Sequence, residues 1–208
     1  MVKVLEKVER RLGEKLFLKG DRCLGPKCGM VRRAYPPGVH GKKRTRRREA
    51  SGFGTLLNEK QKIRFLYGLD DREIARYTKE AASKRGIFST LLLQMLEKRL
   101  DNAVFRLGFA DSRRMARQLV THGHVVVNGR IVHTPSVIVK KGDAISLHDS
   151  FLKSPAFPPI EMRLKKYDPP RWASLDKASM QGAVLQDPDG EDIGITIDVT
   201  RIKEFYSR

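Results

Sequence analysis

The amino-acid sequence predicts an α+β fold: an irregular basic N-terminal arm, a helical domain, and a helix pair leading into a small antiparallel sheet. Three observations carry that prediction. Breaker residues crowd positions 20–54, apolar residues recur at helical spacing from about 58 to 122, and beyond that point the period drops toward two.

Charge comes next. The chain has 208 residues with 42 Lys plus Arg against 24 Asp plus Glu, a formal net charge of +18. Such a surplus repels itself in a compact state and implies a polyanionic partner. It is unevenly placed: residues 1–48 carry a net +12, residues 49–173 a net +9 and residues 174–208 a net −3. No stretch approaches the roughly 18 apolar residues of a membrane span, and the first thirty residues lack the apolar block of a secretory signal. The expectation is therefore a cytosolic chain with no membrane partner. Two cysteines in a chain of this length are no disulfide framework.

The arm, residues 1–54, contains Gly20, Gly25, Pro26, Gly29, Pro36, Pro37, Gly38, Gly41, Gly52 and Gly54. That density excludes a long helix or a central strand. Within it, Lys42, Lys43, Arg44, Arg46, Arg47 and Arg48 supply six cations in seven positions, so the arm is expected to need a neutralising partner for order. A helix follows from Asn58, with Ile63, Leu66 and Tyr67 at helical spacing beside Lys60, Lys62 and Arg64. Asp70 and Glu73 form a capping-box pair for a second helix that ends at Gly86. A third is expected from Ser89 to Leu107, with the stripe Leu92, Leu96, Leu100, Val104, Leu107, and a fourth from Asp111 or Ser112 to about His122. Val125–Val127, Asn128-Gly129 and Arg130–Val132 then read as a hairpin, because Asn-Gly between β-branched runs is a strong turn signal. Val137–Val139 and Ala144–Leu147 read as further strands, residues 151–172 as loop, Ile193–Val199 as a strand, and the residues after Thr200 as a short helix.

The segment Arg106–Arg130 is the sharpest feature. Its second helix turns Met115 and Leu119 to one side and Arg113, Arg114, Arg117 and Gln118 to another, and arginines on a stiff element suit phosphate. This helix-pair-plus-hairpin resembles the S-four-type RNA-binding module. That module also occurs in pseudouridine synthases, tyrosyl-tRNA synthetases and heat-shock proteins, so alone it implies RNA binding and no particular task. Lys15–Gly20, Tyr35–Gly41, Glu59–Lys62, Arg99–Asn102 and Glu204–Arg208 run in order along nearly the whole chain. Together they are similar to the bacterial small-subunit ribosomal protein S-four family.

The resemblance implies a non-catalytic structural protein that binds small-subunit ribosomal RNA at a multi-helix junction early in subunit assembly. It further implies a place near the path by which messenger RNA enters, a role in translational accuracy, and contact with the neighbouring small-subunit protein S-five. It implies that the module, residues 97–160, is inserted into a helical domain made of residues 55–96 and completed by 174–208, with 161–173 as a proline-rich connection. No homo-oligomer, cofactor or catalytic residue is expected. The candidate RNA-binding residues in the arm are Lys19, Arg22, Arg32, Arg33, Tyr35, His40, Lys42, Lys43, Arg44, Arg46, Arg47 and Arg48. Those beyond it are Lys60, Lys62, Arg64, Arg99, Arg106, Arg113, Arg114, Arg117, Gln118, His122, His124 and Asn128.

Two alternatives stand beside this reading. An RNA-modifying enzyme would need a large catalytic domain, and residues 151–208 are too few and too proline-rich for one. A regulatory RNA-binding protein acting off the ribosome would differ in not sedimenting with small subunits. Some members of the family bind zinc through four cysteines; here Cys23 and Cys28 remain, while Glu6 and Glu9 stand where the first pair would be. Structural zinc sites take four Cys or His ligands, so no metal is expected and the cysteines are read as free thiols.

Overall fold

The computed structural model describes residues 5–42, 51–189 and 197–207. In chain order the helices are α1 (Leu5–Leu12), α2 (Gly29–Arg32), α3 (Gly52–Tyr67), α4 (Asp71–Ser83), α5 (Phe88–Glu97), α6 (Leu100–Arg106), α7 (Arg113–Thr121), α8 (Asp149–Leu152), α9 (Pro158–Leu164) and α10 (Val199–Ser207). The strands are β1 (Val125–Val127), β2 (Arg130–Ile131), β3 (Ala144–Leu147), β4 (Ala173–Asp176) and β5 (Gln181–Val184). The chain forms two compact units, an N-terminal one of Met1–Lys79 with Ile195–Arg208 and a central one of Glu80–Gly194.

In the N-terminal unit, α1 organises the breaker-rich segment that follows it. Glu9 is wholly buried, and its Oε1 accepts hydrogen bonds from the backbone N–H of Leu16 (3.0 Å) and Leu18 (3.2 Å). Arg10 Nε donates to the carbonyls of Arg33 and Tyr35, both at 2.9 Å. Loops without secondary structure leave backbone groups unpaired; here two buried side chains of α1 satisfy them, and Leu16, Cys23 and Cys28 close beneath at 1% exposure. The expectation of a disordered arm is thus corrected for residues 20–42, which fold against α1, while Lys43–Arg48 lie outside the described residues.

Helix α3 starts at Ser51, whose hydroxyl accepts from Gly54 N–H, and stops at Gly68, which takes the left-handed conformation (φ 65°). The capping box forms with Asp70 as its first member: Asp70 Oδ1 accepts from Glu73 N–H at 2.7 Å, and Glu73 Oε2 from Asp70 N–H at 2.9 Å. Helix α10 lies on α3. Ile202 is fully buried there, the Phe205 ring sits 5.8 Å from Phe53, and Asp198 N–H donates to Glu59 Oε2. The expected strand Ile193–Val199 falls mostly outside the described residues, and Val199 opens α10.

The central unit is built on an antiparallel sheet of order β2-β1-β3-β5-β4. Asn128 (φ 49°) and Gly129 (φ 79°) turn β1 into β2, the positive dihedrals that a two-residue hairpin loop demands. Trp172, Phe109, Leu107, Val125 and Ile145, each 1% exposed or less, form part of the core between sheet and helices. Gly108 (φ 84°) closes α6; a side chain there would meet the Tyr167 ring at 2.7 Å, and Arg163 and Tyr167 donate to the carbonyls of Gly108 and Arg106.

Four expectations are corrected in this unit. The predicted helix 89–107 is two helices, because Arg99 is extended (ψ 140°). Val137–Val139 does not join the sheet. The carbonyls of Val137 and Pro135 accept from Leu100 and Asp101 N–H, and Val139 N–H donates to Lys98; the first-turn donors of α6 have no partner within the helix and take these instead. Residues 151–172 contain α9, entered through a proline pair that suits a first helical turn. Residues 173–184 supply β4 and β5, so the tail joins the N-terminal unit only from 195 onward, and the division near the α4–α5 connection lies upstream of the expected 96/97 boundary.

Candidate nucleic-acid interface

Cations whose charge is not already matched by carboxylates are what a polyanion would find. In the central unit α7 presents Arg114, Gln118 and His122 at helical spacing, all exposed. Ser112 caps the helix, its hydroxyl accepting from Met115 N–H, and Ala116, Leu119 and Val120 bury the opposite face. Arg114 has no carboxylate partner among the described residues. Arg117 is half-buried, with Nη1 3.7 Å from Asp101 Oδ2.

Neighbouring arginines are turned inward. Arg99 is completely buried and forked onto Asp101, with Nε to Oδ1 at 3.0 Å and Nη2 to Oδ2 at 2.8 Å. Glu97 is also fully buried, and it accepts from Arg106 Nε (2.8 Å) and Nη2 (3.1 Å) and from Asn102 Nδ2 (2.9 Å). Arg113 Nε donates to Asn102 Oδ1 at 2.7 Å, and its guanidinium lies 4.6 Å from the Phe105 ring centroid. A buried carboxylate is tolerable only when paired and hydrogen-bonded, and these arginines provide that for Glu97 and Asp101. Arg99, Arg106 and Arg113, expected to grip RNA, instead hold the α5–α6–α7 junction. Asn128 is committed too: its amide donates to Asp143 and accepts from Ala144 N–H.

His124 is half-buried beside Phe151, 5.1 Å between ring centroids, and 6.1 Å from His122. Burial, then the neighbouring His122 and His148, pull its pKa below the usual histidine value, so it is neutral where an RNA-gripping imidazolium would be charged.

In the N-terminal unit a hollow of about 480 Å³ lies beside α1 and α2. Lys7 and Arg10 line it from α1, and Arg22, Lys27, Arg32 and Arg33 from the segment that α1 organises. Glu6 is the one carboxylate among its lining residues. Arg22 Nε donates to Glu6 Oε1 at 2.8 Å and Lys19 stands 3.8 Å from it; the Arg22 hydrogen bond holds the Glu6 carboxyl below its usual pKa. Arg32, Arg33, His40 and Lys42 are exposed, and Tyr35 is half-buried with Arg10 4.8 Å above its ring. Sequence reasoning omitted Lys7, Arg10 and Lys27. The spacing of Lys7 and Arg10, one helical turn apart, was the available signal.

Lys60, Lys62 and Arg64 are internal ion-pair members, contrary to expectation. Lys60 and Arg64 both meet Asp71, and Lys62 meets Glu14 (2.6 Å) and Glu59 (2.7 Å). Burial draws the Lys62 pKa down, yet the hydrogen bonds to Glu14 and Glu59 outweigh it and hold the ammonium above its usual value.

The family profile "Ribosomal protein S4/S9 N-terminal domain" matches residues 5–97, and "S4 domain" matches residues 98–145. "Small ribosomal subunit protein uS4" of Syntrophomonas wolfei is 47% identical over 199 residues, spanning 96% of this chain and 94% of its own length. The protein of that name from Thermus thermophilus is 48% identical over 204 residues with the same shares, and that from Halothermothrix orenii 45% over 199. The chain belongs to the ribosomal protein S4 family. That family is non-enzymatic, and its S4 domain covers α6, α7 and the first strands of the sheet. Among the described residues no helix is long and apolar enough to cross a membrane.

Zinc, which some S4 family members carry, does not fit these side chains. Burial pushes the Cys23 thiol above its usual pKa, and its sulfur accepts from Lys19 N–H. Glu6 is tied to Arg22, and one Glu9 oxygen serves two backbone donors. Among the described residues no three Cys, His, Asp or Glu are grouped to hold an ion.

Proposed function

We propose that this chain is a structural component of the small ribosomal subunit in the cytoplasm, binding small-subunit ribosomal RNA through two basic faces, one on each compact unit. The observation that carries the reading is the residue of unmatched cations. Carboxylates neutralise the inward arginines and the lysines of α3, while Arg114 on α7 and the cations around the α1 hollow face solvent without one. A-form RNA offers phosphates and shape rather than readable base edges, and exposed arginines and lysines fit that chemistry. Two faces on separate units suit a ligand offering phosphates from several directions, such as a junction of RNA helices. A ligand of that kind engages the protein early in assembly. Contact with protein S-five, nearness to incoming messenger RNA and an influence on accuracy are part of the same proposal and rest on family membership.

The test has two arms. The protein should co-sediment with small subunits in a sucrose gradient; free sedimentation would favour a role off the ribosome. Arg114→Ala with Gln118→Ala should weaken binding to small-subunit ribosomal RNA and flatten its log-log salt dependence by roughly 0.7–0.9 for the lost phosphate contact. An unchanged slope would reduce the α7 face to a solvated surface.

A further inference from the structure

Resting on the RNA-binding reading above, we propose that the hollow beside α1 is a receptor for RNA backbone phosphate. Its working cations are Lys7, Lys27, Arg32 and Arg33. The volume, about 480 Å³, falls in the range of roughly 300–1,000 Å³ typical of ligand pockets. Two of the six cations on its wall are already engaged. Arg10 spends its Nε on two backbone carbonyls and is 9% exposed, and Arg22 is paired with Glu6. The other four have neither a carboxylate nor a hydrogen-bond acceptor for their side chains among the described residues, and all four are exposed. Holding four like charges around one concavity is unfavourable unless a ligand neutralises them.

The scaffold beneath is rigid in the sense that matters for recognition. Glu9 fixes the backbone at Leu16 and Leu18, and Arg10 fixes it at Arg33 and Tyr35. Gly29 sits so close to Glu6 that a Cβ there would lie 2.9 Å from the Glu6 side chain. The first residue of α2 is thereby drawn against α1, with Lys27 and Arg32 on either side of it. The spatial arrangement is set before any ligand arrives, which lowers the entropy cost of binding. Guanidiniums and ammoniums together suit a phosphodiester: arginine forks onto two oxygens, while lysine acts as a mobile point charge.

The experiment uses the full chain and a small-subunit ribosomal RNA transcript, with affinity measured from 50 to 300 mM salt. The triple variant Lys7→Ala, Lys27→Ala, Arg32→Ala should lose a log-log slope of about 2–3 and on the order of a hundredfold in affinity near 0.1 M salt. A charge-matched control, Lys84→Ala, Lys165→Ala, Lys177→Ala, removes three lysines that have carboxylate partners of their own and should change the slope far less. Lys7→Arg with Lys27→Arg should retain wild-type binding, and circular dichroism should show all variants folded. If the triple variant binds as the wild type does, or if the control loses as much, the receptor is overturned while RNA binding stands. If the wild type itself does not bind the transcript, the broader reading falls and the receptor with it. If inorganic phosphate at constant ionic strength displaces the RNA at equimolar concentration, the hollow is a small-anion site and the proposal is wrong.

Discussion

Ile202 offers the sharpest test of how the chain is divided. It is fully buried in α10, a helix of nine residues, and a helix that short has little stability in water by itself. Its place on α3 is therefore held by tertiary contacts, with Ile202 at the centre and Val199 and Phe205 beside it. Ile202→Ala removes most of that side chain and leaves a cavity among Ile63, Leu66 and their neighbours, a change costing about 3 kcal/mol. The N-terminal unit comprises roughly 90 residues. For a domain of that size each kcal/mol lowers the melting midpoint by about 4–8 °C, so the expected drop is on the order of 10–20 °C. Trp172, the only tryptophan in the sequence, is fully buried in the central unit, which allows the units to be followed separately. Hydrogen exchange over residues 52–67 should report the destabilised N-terminal unit, and tryptophan fluorescence should melt at the wild-type temperature. Unaltered exchange over 52–67 would refute the docking of α10. An equal shift in both probes would refute the independence of the units.

Three further outcomes are expected. Arg99→Met should lower the fluorescence-detected stability of the central unit by about 3–5 kcal/mol, because Asp101 loses its buried partner; the double variant with Asp101→Leu should recover part of it, and equal losses in both would contradict the pairing. Glu9→Ala should destabilise the N-terminal unit by roughly 1–3 kcal/mol for each of the two N–H groups it orphans, and a chelator should leave wild-type melting unaltered. Lowering the pH should destabilise the central unit through His124. Its folded pKa lies below the usual 6.5, so the unfolded chain takes up the proton first. Stability then falls as pH drops through about 6.5 and levels off below the folded value. Urea midpoints at pH 7.5 and 5.5 should differ less in His124→Gln, and an identical pH response would assign the effect elsewhere.

The sequence carried the architecture where local chemistry is decisive. The Asn128-Gly129 hairpin, the Asp70–Glu73 capping box and the Leu92–Leu107 apolar stripe all announce themselves through spacing. What escaped was long-range. The stripe runs through both α5 and α6 and hides the break at Arg99, which depends on carbonyls some 36 residues downstream. Gly182 and Ala183 have weak strand preference, and β5 forms because it has β3 on one side, β4 on the other and Leu107 beneath Gly182. The site was legible as charge but not as availability. Arg99, Arg106 and Arg113 look in sequence like Arg114, yet only the fold shows that Glu97 and Asp101 claim them. Lys7 and Lys27 gain meaning only when α1 folds onto the segment after it.

The division of the chain also sets a timetable for its own making. The N-terminal unit needs α10, and residues 80–194, which belong to the central unit, must be synthesised in between. At about 5–20 residues per second, α3 waits roughly 6–25 s after it is made before its covering helix exists. Through that interval the central unit can complete its sheet, while Leu56, Ile63 and Leu66 stay uncovered along with the cationic hollow upstream of them. The nascent chain thus passes through a stage in which a finished S4 domain trails an unfinished, strongly basic leading end. Any polyanion or chaperone that meets the chain during translation meets that form first.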